Sequence, residues 1–187
     1  LRAGWEAAHR GRASLVLVEG PTGIGKSTGV RDFASALAED HASPEVIWTF
    51  GYHQDRIPLG ILDQLQASLR ARMRGGRGAL DERQVAALSS VFSPLTEGEA
   101  TAPDLEAGSL ALDAIISLAR AVANERPLLL IVDDAQWLDA RTARFLLELG
   151  TLETACALMV AICVRSDLGA SPVEAAVLAA YREGAVA

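Results

Sequence analysis

Four short apolar runs along the chain alternate with longer stretches in which apolar residues recur every three or four positions. Runs that are apolar or β-branched at nearly every position are typical of strands that helices cover on both faces of a parallel sheet. Because helical patterns separate these runs, the sequence predicts an α/β fold built from βαβ units. The predicted strands are Ser14–Glu19, Val46–Phe50, Leu128–Val132 and a fourth near Leu158–Val164.

Helical periodicity between and after these strands predicts five helices. The first follows residue 27, where apolar residues are spaced three and four positions apart: Val30, Phe33, Ala34, Leu37 and Ala38. The other four are Leu59–Met73, Asp81–Val91, Leu110–Asn124 and Ala140–Leu149. With helices on both faces of the sheet, every strand is expected to be buried.

Two stretches between the helical patterns, Arg70–Gly78 and Ser93–Gly108, are predicted to be linkers. The first contains four arginines and three glycines. This composition is compatible with a basic patch for nucleic acid or with a solvated, mobile loop, and we favour the loop. The second is rich in Pro, Gly, Glu and Thr, which is typical of flexible segments.

A glycine-rich turn directly after the first predicted strand carries the clearest chemistry. Residues 20–27 read G-P-T-G-I-G-K-S, the pattern of a phosphate-binding loop, and the strand before it and the helix after it disfavour a chance match. Glycines let the backbone approach phosphates, Lys26 supplies an ammonium near the β- and γ-phosphates, and Ser27 is placed to bind Mg²⁺. The candidate nucleotide-binding residues are Gly20, Pro21, Thr22, Gly23, Ile24, Gly25, Lys26, Ser27 and Thr28.

Two acidic residues, Asp133 and Asp134, follow the third predicted strand. Parallel α/β sheets place ligands at the carboxyl ends of their strands, so we expect both carboxylates at the same edge as the phosphate loop. Asp133 would hold Mg²⁺ through its water shell together with Ser27, and Asp134 would orient or deprotonate an attacking water. The alternative interpretation of the two residues is a turn or a helix cap.

Composition narrows the class of protein further. The length of 187 residues suits one well-filled core, so we expect a single domain over residues 1–187. Hydrophobic residues make up 50% of the chain, yet no apolar run reaches the roughly 18 residues of a bilayer span. A net charge of −7 disfavours a surface that binds duplex DNA. Nothing at the start resembles an export leader, so we expect a cytoplasmic location.

The two cysteines of the chain, Cys156 and Cys163, both fall within an apolar stretch. Buried free cysteines behave as small hydrophobic residues. We therefore expect core residues and not a disulfide or a metal-binding pair.

Two segments of the chain, Leu15–Ser27 and Pro127–Asp139, resemble the AAA-like ATPase module of signal-transduction ATPases with numerous domains (STAND), which are P-loop NTPases. Within that group, the large LuxR-type bacterial transcriptional regulators are the most similar. The resemblance implies ATP and Mg²⁺ as ligands and an AAA-like core that lacks its C-terminal lid. It also implies that the chain is a piece of a longer multidomain protein.

Several residues near the predicted site carry further expectations. The resemblance implies that Arg165, at the end of the fourth strand, is a catalytic sensor of the γ-phosphate, whereas the alternative is an ordinary exposed arginine. Asp139 is expected to cap the helix that follows it, and Trp137 to pack as an apolar plug beside the site. His53 and Asp55 have the chemistry of a catalytic or metal pair, but we favour a polar loop.

Three functional hypotheses remain open from the sequence. The first is an ATP-binding switch with slow hydrolysis, since Asp134 reaches less far than a glutamate, controlling a LuxR-type helix-turn-helix output outside this chain. The second is the ATPase module of a nucleotide cyclase or protein kinase, and the third is a nucleotide-binding scaffold without turnover. The expected partner is a nucleotide, and DNA would be contacted only through an output domain. No membrane contact is expected, and nucleotide-dependent self-association is an option.

Overall fold

The computed structural model describes residues 1–39, 43–51, 60–73, 79–92, 105–153, 155–168 and 171–182. Short 3₁₀ turns at Ala135–Trp137 and Ser166–Leu168 follow the third and fourth strands. The strands are β1 (Ser14–Gly20), β2 (Glu45–Phe50), β3 (Leu128–Asp133) and β4 (Leu158–Arg165). The helices are α1 (Arg2–His9), α2 (Lys26–Glu39), α3 (Gly60–Arg72), α4 (Glu82–Phe92), α5 (Leu105–Glu125), α6 (Ala140–Gly150) and α7 (Pro172–Arg182).

The four strands form one parallel sheet in the order β1-β4-β3-β2. At least one helix lies between each strand and the next along the chain, as parallel pairing requires. The α/β fold predicted from the sequence is therefore confirmed, and each predicted strand agrees with the structure to within one residue at either end. In this order, β4 separates the strand before the phosphate loop from the strand that ends in Asp133.

Helices cover both faces of the sheet. Successive side chains of a strand point to opposite faces, so apolar strands present two apolar surfaces for helices to bury. On one face, Leu129 and Ile131 of β3 pack with buried residues of α1 and α2. On the other face, Leu130 and Val132 belong to a larger cluster with buried residues of α3, α4, α5, α6 and α7. β3 and β4 are thus buried as predicted, whereas β1 and most of β2 are only partly buried. The helices α1 and α2 form a layer of their own.

Both predicted linkers include residues that are helical in the structure. Arg70 and Arg72 lie in the last turn of α3, so the linker predicted at Arg70–Gly78 does not begin at Arg70. α5 begins at Leu105, which makes the last residues of the second predicted linker helical. A β-carbon on Gly108 would meet the guanidinium of Arg141 on α6, so this first stretch of α5 is held by tertiary packing. The rest of both linkers lies outside the described residues.

Two helices, α1 and α7, were not predicted. α1 buries Trp5 and Ala8, and α7 contributes Val173 to the larger cluster. α1 spans only 8 residues, too short a stretch for a helical repeat to stand out in a sequence. Within the part of the chain that the structure describes, no helix has both the length and the apolar character needed to cross a bilayer.

Candidate nucleotide-binding site

The loop between β1 and α2 has a backbone conformation that depends on its glycines. Gly23 and Gly25 have φ angles of 79° and 95°, in the left-handed region that residues with a β-carbon rarely adopt. No atom lies within 4 Å of a β-carbon built on either glycine, so the space beside them is open to a ligand. Residues 21–25 therefore form an exposed turn between the end of β1 and the start of α2.

Lys26 is the only lysine among the 187 residues, and the loop holds its ammonium. Nζ donates hydrogen bonds to the carbonyl oxygens of Gly20 at 2.7 Å and Pro21 at 3.0 Å. Because α2 begins at Lys26, Ser27 and Thr28 lie in its first turn, where backbone N–H groups have no partner within the helix. A cation next to such N–H groups suits a phosphate.

The sheet brings the second motif to the same edge as this loop. β1 and β4 pair so that Val18 lies beside Cys163 and Gly20 lies beside Arg165. On the other side of β4, Val132 lies beside Ile162, and this register places Asp133 at the level of Cys163. The carboxyl ends of β1 and β3 therefore flank the end of β4, the place where parallel sheets bind ligands.

Asp133 faces α2, because the side chains of a strand alternate and Leu129 and Ile131 belong to the cluster with α2. It is only 7% exposed, and its carboxylate accepts a hydrogen bond from the N–H of Asp134 at 3.0 Å. Within the described residues, no lysine or arginine forms an ion pair with it. An ionised carboxylate buried without a cation is costly, so the position suits a bound cation.

Ser27 and Asp133 are the two residues predicted to bind a metal ion. In the described ranges, no group of three or more His, Cys, Asp or Glu side chains could hold a metal. Mg²⁺ usually takes one or two carboxylates from a protein and completes its shell with phosphate oxygens and water. The two residues thus fit a Mg²⁺ ion that shares its coordination with a nucleotide, and not an ion held by the protein alone.

Asp134 differs from Asp133 in both conformation and exposure. Its φ and ψ angles of 53° and 39° are left-handed, a conformation that aspartate tolerates better than most residues. Its side chain is exposed, and its carboxylate accepts a hydrogen bond from Nε2 of Gln136 at 3.0 Å. The turn therefore gives the second carboxylate a different environment from the first, which permits a different role.

The thiol of Cys163 lies between the two strands that carry the motifs. The side chain is fully buried beside Val18 and at the level of Asp133. Burial above all raises the pKa of this thiol to about 12; Asp133 adds to the rise, Lys26 opposes it, and Asp134 adds to it. The strand register thus places this thiol between the strand that leads into the loop and the strand that ends in Asp133.

Both cysteines of the chain are free and buried, as predicted. Burial also raises the pKa of Cys156, an effect that Arg120 opposes. The two thiols therefore behave as neutral core groups.

Arg165 ends β4 beside Gly20, and its guanidinium pairs with Asp167. Nη2 and Nε donate to the two carboxylate oxygens of Asp167 at 2.8 Å and 3.2 Å. The hydroxyl of Thr22, in the loop, donates to the same carboxylate at 3.2 Å. The hydrogen bond from Arg165 lowers the pKa of Asp167 below its usual range, and that bond raises the pKa of Arg165. The predicted sensor is thus adjacent to the loop and engaged by a carboxylate that the sequence did not single out.

Asp139 caps α6 as predicted, since its carboxylate accepts hydrogen bonds from the N–H groups of Arg141 and Thr142, each at 2.9 Å. Trp137 is half-buried in the 3₁₀ turn after β3, and its role as an apolar plug beside the site stays a prediction. His53 and Asp55 lie outside the described residues.

Two residues that sequence reasoning missed shape the site around Asp134. Gln136 is buried and bonds both Asp134 and the end of β4. Gly51 follows β2, and a β-carbon on it would overlap the backbone of Asp134. The sequence gives only weak signals for these two residues. Gly51 is a glycine directly after a predicted strand, and Gln136 is an amide side chain between apolar neighbours after Asp134.

Comparisons with known proteins give one family match and one similar solved structure. A family model described as "AAA ATPase domain" matches residues 1–162 of the chain. A solved structure titled "ATPase" is similar to this chain with a TM-score of 0.40 and 18% sequence identity, over 90% of this chain and 63% of that chain. The present chain therefore spans less than two thirds of the length of that protein. No curated protein matches the chain.

Proposed function

The chain belongs to the AAA ATPase domain family, and on that premise we propose that it is an ATP-binding switch that hydrolyses ATP slowly with Mg²⁺. One observation carries the proposal. In the register of β1, β4 and β3, the loop that carries Lys26 and the end of β3 that carries the two carboxylates lie at the same sheet edge. An ammonium and two acidic groups at one sheet edge form the set that phosphoryl transfer needs, one cation for the phosphates and carboxylates for a metal ion and a water.

The loop and the first turn of α2 would bind the polyphosphate. Nζ of Lys26 now donates to the carbonyl oxygens of Gly20 and Pro21, which are neutral acceptors. Phosphate oxygens are ionised and form stronger charge-assisted hydrogen bonds, so the ammonium would exchange carbonyls for phosphates with little movement of the backbone. Ser27 and Asp133 would hold Mg²⁺, which would neutralise phosphate charge.

Asp134 and Arg165 would act on the reacting end of the nucleotide. Asp134 is exposed at the sheet edge, where its carboxylate would orient the attacking water and accept a proton from it. Arg165 would exchange its contact with Asp167 for the γ-phosphate, since guanidinium groups bind carboxylates and phosphates in the same way. Asp134 is one methylene shorter than a glutamate, which supports slow turnover.

We propose that the switch controls a LuxR-type helix-turn-helix domain of a transcriptional regulator. This output domain would lie outside the present chain and would bind DNA. The support is the resemblance of Leu15–Ser27 and Pro127–Asp139 to that group. Such a regulator would work in the cytoplasm and would self-associate in response to nucleotide. Finding a cyclase or kinase domain in the full-length protein, in place of a helix-turn-helix, would replace this output and leave the nucleotide site unchanged.

Two substitutions test the nucleotide site. Lys26→Ala removes the ammonium and is expected to abolish Mg·ATP binding in isothermal titration calorimetry. Asp134→Asn is expected to keep the affinity within about twofold and to stop phosphate release, because only the proton acceptor is lost. Arg83→Ala, at an exposed position on α4, removes the same charge elsewhere and serves as the control.

The outcomes separate the site from the activity. Binding of ATP by Lys26→Ala at the affinity of the parent protein would contradict the assignment of the loop. Tight binding by the parent protein without any phosphate release would keep the loop and favour a scaffold over a switch that hydrolyses ATP.

A further inference from the structure

We propose that Gln136 is a positioning residue that fixes the Asp134 carboxylate relative to the end of β4. The proposal rests on the proposed hydrolysis of ATP and adds to it a residue that neither binds nucleotide nor transfers a proton. Gln136 lies in the 3₁₀ turn that connects β3 to α6, two residues beyond Asp134.

Both polar atoms of the Gln136 side chain are hydrogen-bonded. Nε2 donates to Oδ1 of Asp134 at 3.0 Å, and Oε1 accepts from the backbone N–H of Arg165 at 3.2 Å. A backbone N–H can only donate, so the amide oxygen must face Arg165 and the amide NH₂ must face the carboxylate. The orientation of the amide is therefore determined by its partners, and only a group that accepts at one end and donates at the other can replace it.

The burial of Gln136 makes these contacts rigid. The residue is 8% exposed, and its partner on β4 belongs to a strand that pairs on both sides, with β1 and with β3. Asp134, in contrast, has an exposed side chain on a single left-handed residue. An exposed carboxylate samples several rotamers unless a hydrogen bond selects one. Gln136 thus connects an exposed carboxylate to one of the two inner strands of the sheet.

The connection reaches the phosphate loop through Arg165. The backbone of Arg165 bonds Gln136, its side chain bonds Asp167, and Asp167 accepts from Thr22 in the loop. Hydrogen bonds on either side of Arg165 thus link the loop to Asp134. If Arg165 exchanges Asp167 for the γ-phosphate, its backbone bond to Gln136 is unaffected. A carboxylate that takes a proton from water acts well only when it is held within a fraction of an ångström of its productive position, and Gln136 supplies that constraint.

Two substitutions of Gln136 test the role in the full-length protein. Gln136→Leu removes both hydrogen bonds at similar volume, and Gln136→Glu keeps an acceptor for Arg165 but sets a second carboxylate against Asp134. Each is expected to lower kcat for ATP by about ten- to a hundredfold, while KM and the Kd of Mg·ATP change by less than about twofold. A role in folding alone would lower the yield or the Tm and would not separate kcat from KM.

The pH dependence of kcat distinguishes a role of Gln136 as a hydrogen-bond donor to Asp134 from a role in packing alone. In Gln136→Glu, the introduced carboxyl regains a donor when it is protonated, and a neighbouring carboxylate favours that protonated form. The ratio of its kcat to that of the parent is therefore expected to rise as the pH is lowered. The ratio for Gln136→Leu should not change with pH.

Gln66 provides a matched control. It is also buried, at 9% exposure, and its Nε2 donates to Oδ1 of Asp63 at 3.0 Å on α3. Gln66→Leu and Gln66→Glu are expected to leave kcat unchanged. If Gln136→Leu does not fold, Gln136→Glu, which keeps the size and one hydrogen bond, decides the question.

The outcomes distinguish this proposal from the proposed function. If the parent protein hydrolyses ATP and both Gln136 variants have the same kcat as the Gln66 variants, the proposed role of Gln136 is wrong. The proposed ATPase activity is then unaffected. The complete absence of turnover in the parent protein overturns the proposed hydrolysis, and the role of Gln136 falls with it.

Discussion

Gly51 lies directly against Asp134, and this contact sets how closely the end of β2 approaches the second carboxylate of the site. The N–H of Gly51 donates to the carbonyl oxygen of Asp133 at 2.9 Å, which extends the pairing of β2 and β3 one residue beyond Phe50. A β-carbon on Gly51 would overlap the carbonyl oxygen of Asp134 and lie 3.6 Å from Cβ of Trp137. Close approach, and not an unusual φ angle, is what this glycine permits.

Gly51→Ala is therefore expected to displace the backbone of Asp134. Overpacking of this kind costs about 1–3 kcal/mol of stability, and a misplaced carboxylate lowers kcat for ATP by about tenfold or more. The Kd of Mg·ATP should change little, because the loop and Lys26 are untouched. Phosphate release and calorimetric titration on the same preparation measure the two effects.

Gly29→Ala is the control for this substitution. Gly29 is exposed on α2, and no atom lies within 4 Å of a β-carbon built on it. Alanine in a helix is more favourable than glycine by about 0.5–1 kcal/mol, so this variant should be at least as stable as the parent. Normal turnover in Gly51→Ala would contradict the inferred displacement of Asp134.

The sequence predicted the strands well and their order not at all. β3 and β4 consist of apolar residues at nearly every position, a pattern set by local burial. The pairing of β1 with β4 joins residues far apart in the chain, such as Ser14 and Met159, and no local pattern encodes it. Long-range pairing of this kind depends on how the whole sheet packs.

The candidate site divides in the same way. The loop at residues 20–27 and the two carboxylates form contiguous motifs, so their chemistry is visible in the sequence. Gln136 bonds a residue 29 positions away, and Thr22 bonds one that is 145 positions away. These contacts exist only because β4 lies between β1 and β3, and they could not be predicted without the strand order.

The thiol of Cys163 is expected to be unreactive in the folded protein. Its pKa is raised from 9.0 to about 12, mainly by burial, and only the thiolate is nucleophilic. At pH 8, iodoacetamide should therefore modify Cys163 slowly in buffer and rapidly in denaturant. In a Cys156→Ala background, the mass of the labelled peptide reports this residue alone, and fast labelling of the folded chain would contradict the burial.

The same shift predicts how stability depends on alkaline pH. Because the folded-state pKa of Cys163 is raised above its unfolded value, the folded protein binds more protons than the unfolded chain between these two values. The free energy of unfolding should fall as the pH rises from about 9 towards 12. Cys163→Ala, compared with the parent by urea denaturation at several pH values, should show a smaller fall.

Asp167 is expected to compete with nucleotide for Arg165. Asp167→Asn removes the charge that holds the guanidinium and the Thr22 hydroxyl, so both would be available to the γ-phosphate. The Kd of Mg·ATP should fall by about two- to fivefold, a modest effect because the ion pair is exposed, whereas the Kd of ADP should change less. The low pKa of Asp167 keeps it ionised, so the difference should be constant from about pH 5 to 8.

Asp113→Asn makes the same change of charge at an exposed position on α5. It should leave both affinities unchanged. Equal gains for ATP and ADP in Asp167→Asn would place Arg165 away from the γ-phosphate and would favour its interpretation as an ordinary strand-end arginine.

Asp139 is expected to stabilise the fold without affecting nucleotide affinity. Its carboxylate accepts hydrogen bonds from two N–H groups of α6 and from Oγ1 of Thr142 at 2.6 Å. Loss of such a cap costs about 1 kcal/mol, so Asp139→Ala should lower the Tm by about 2–4 °C in a chain of this size. Asp139→Asn keeps a side-chain oxygen that can cap and should recover most of the loss, while Asp113→Ala, in the interior of α5, should not destabilise. A Tm of Asp139→Ala equal to that of the parent would show that packing of α6 on the sheet, and not its cap, determines where the helix begins.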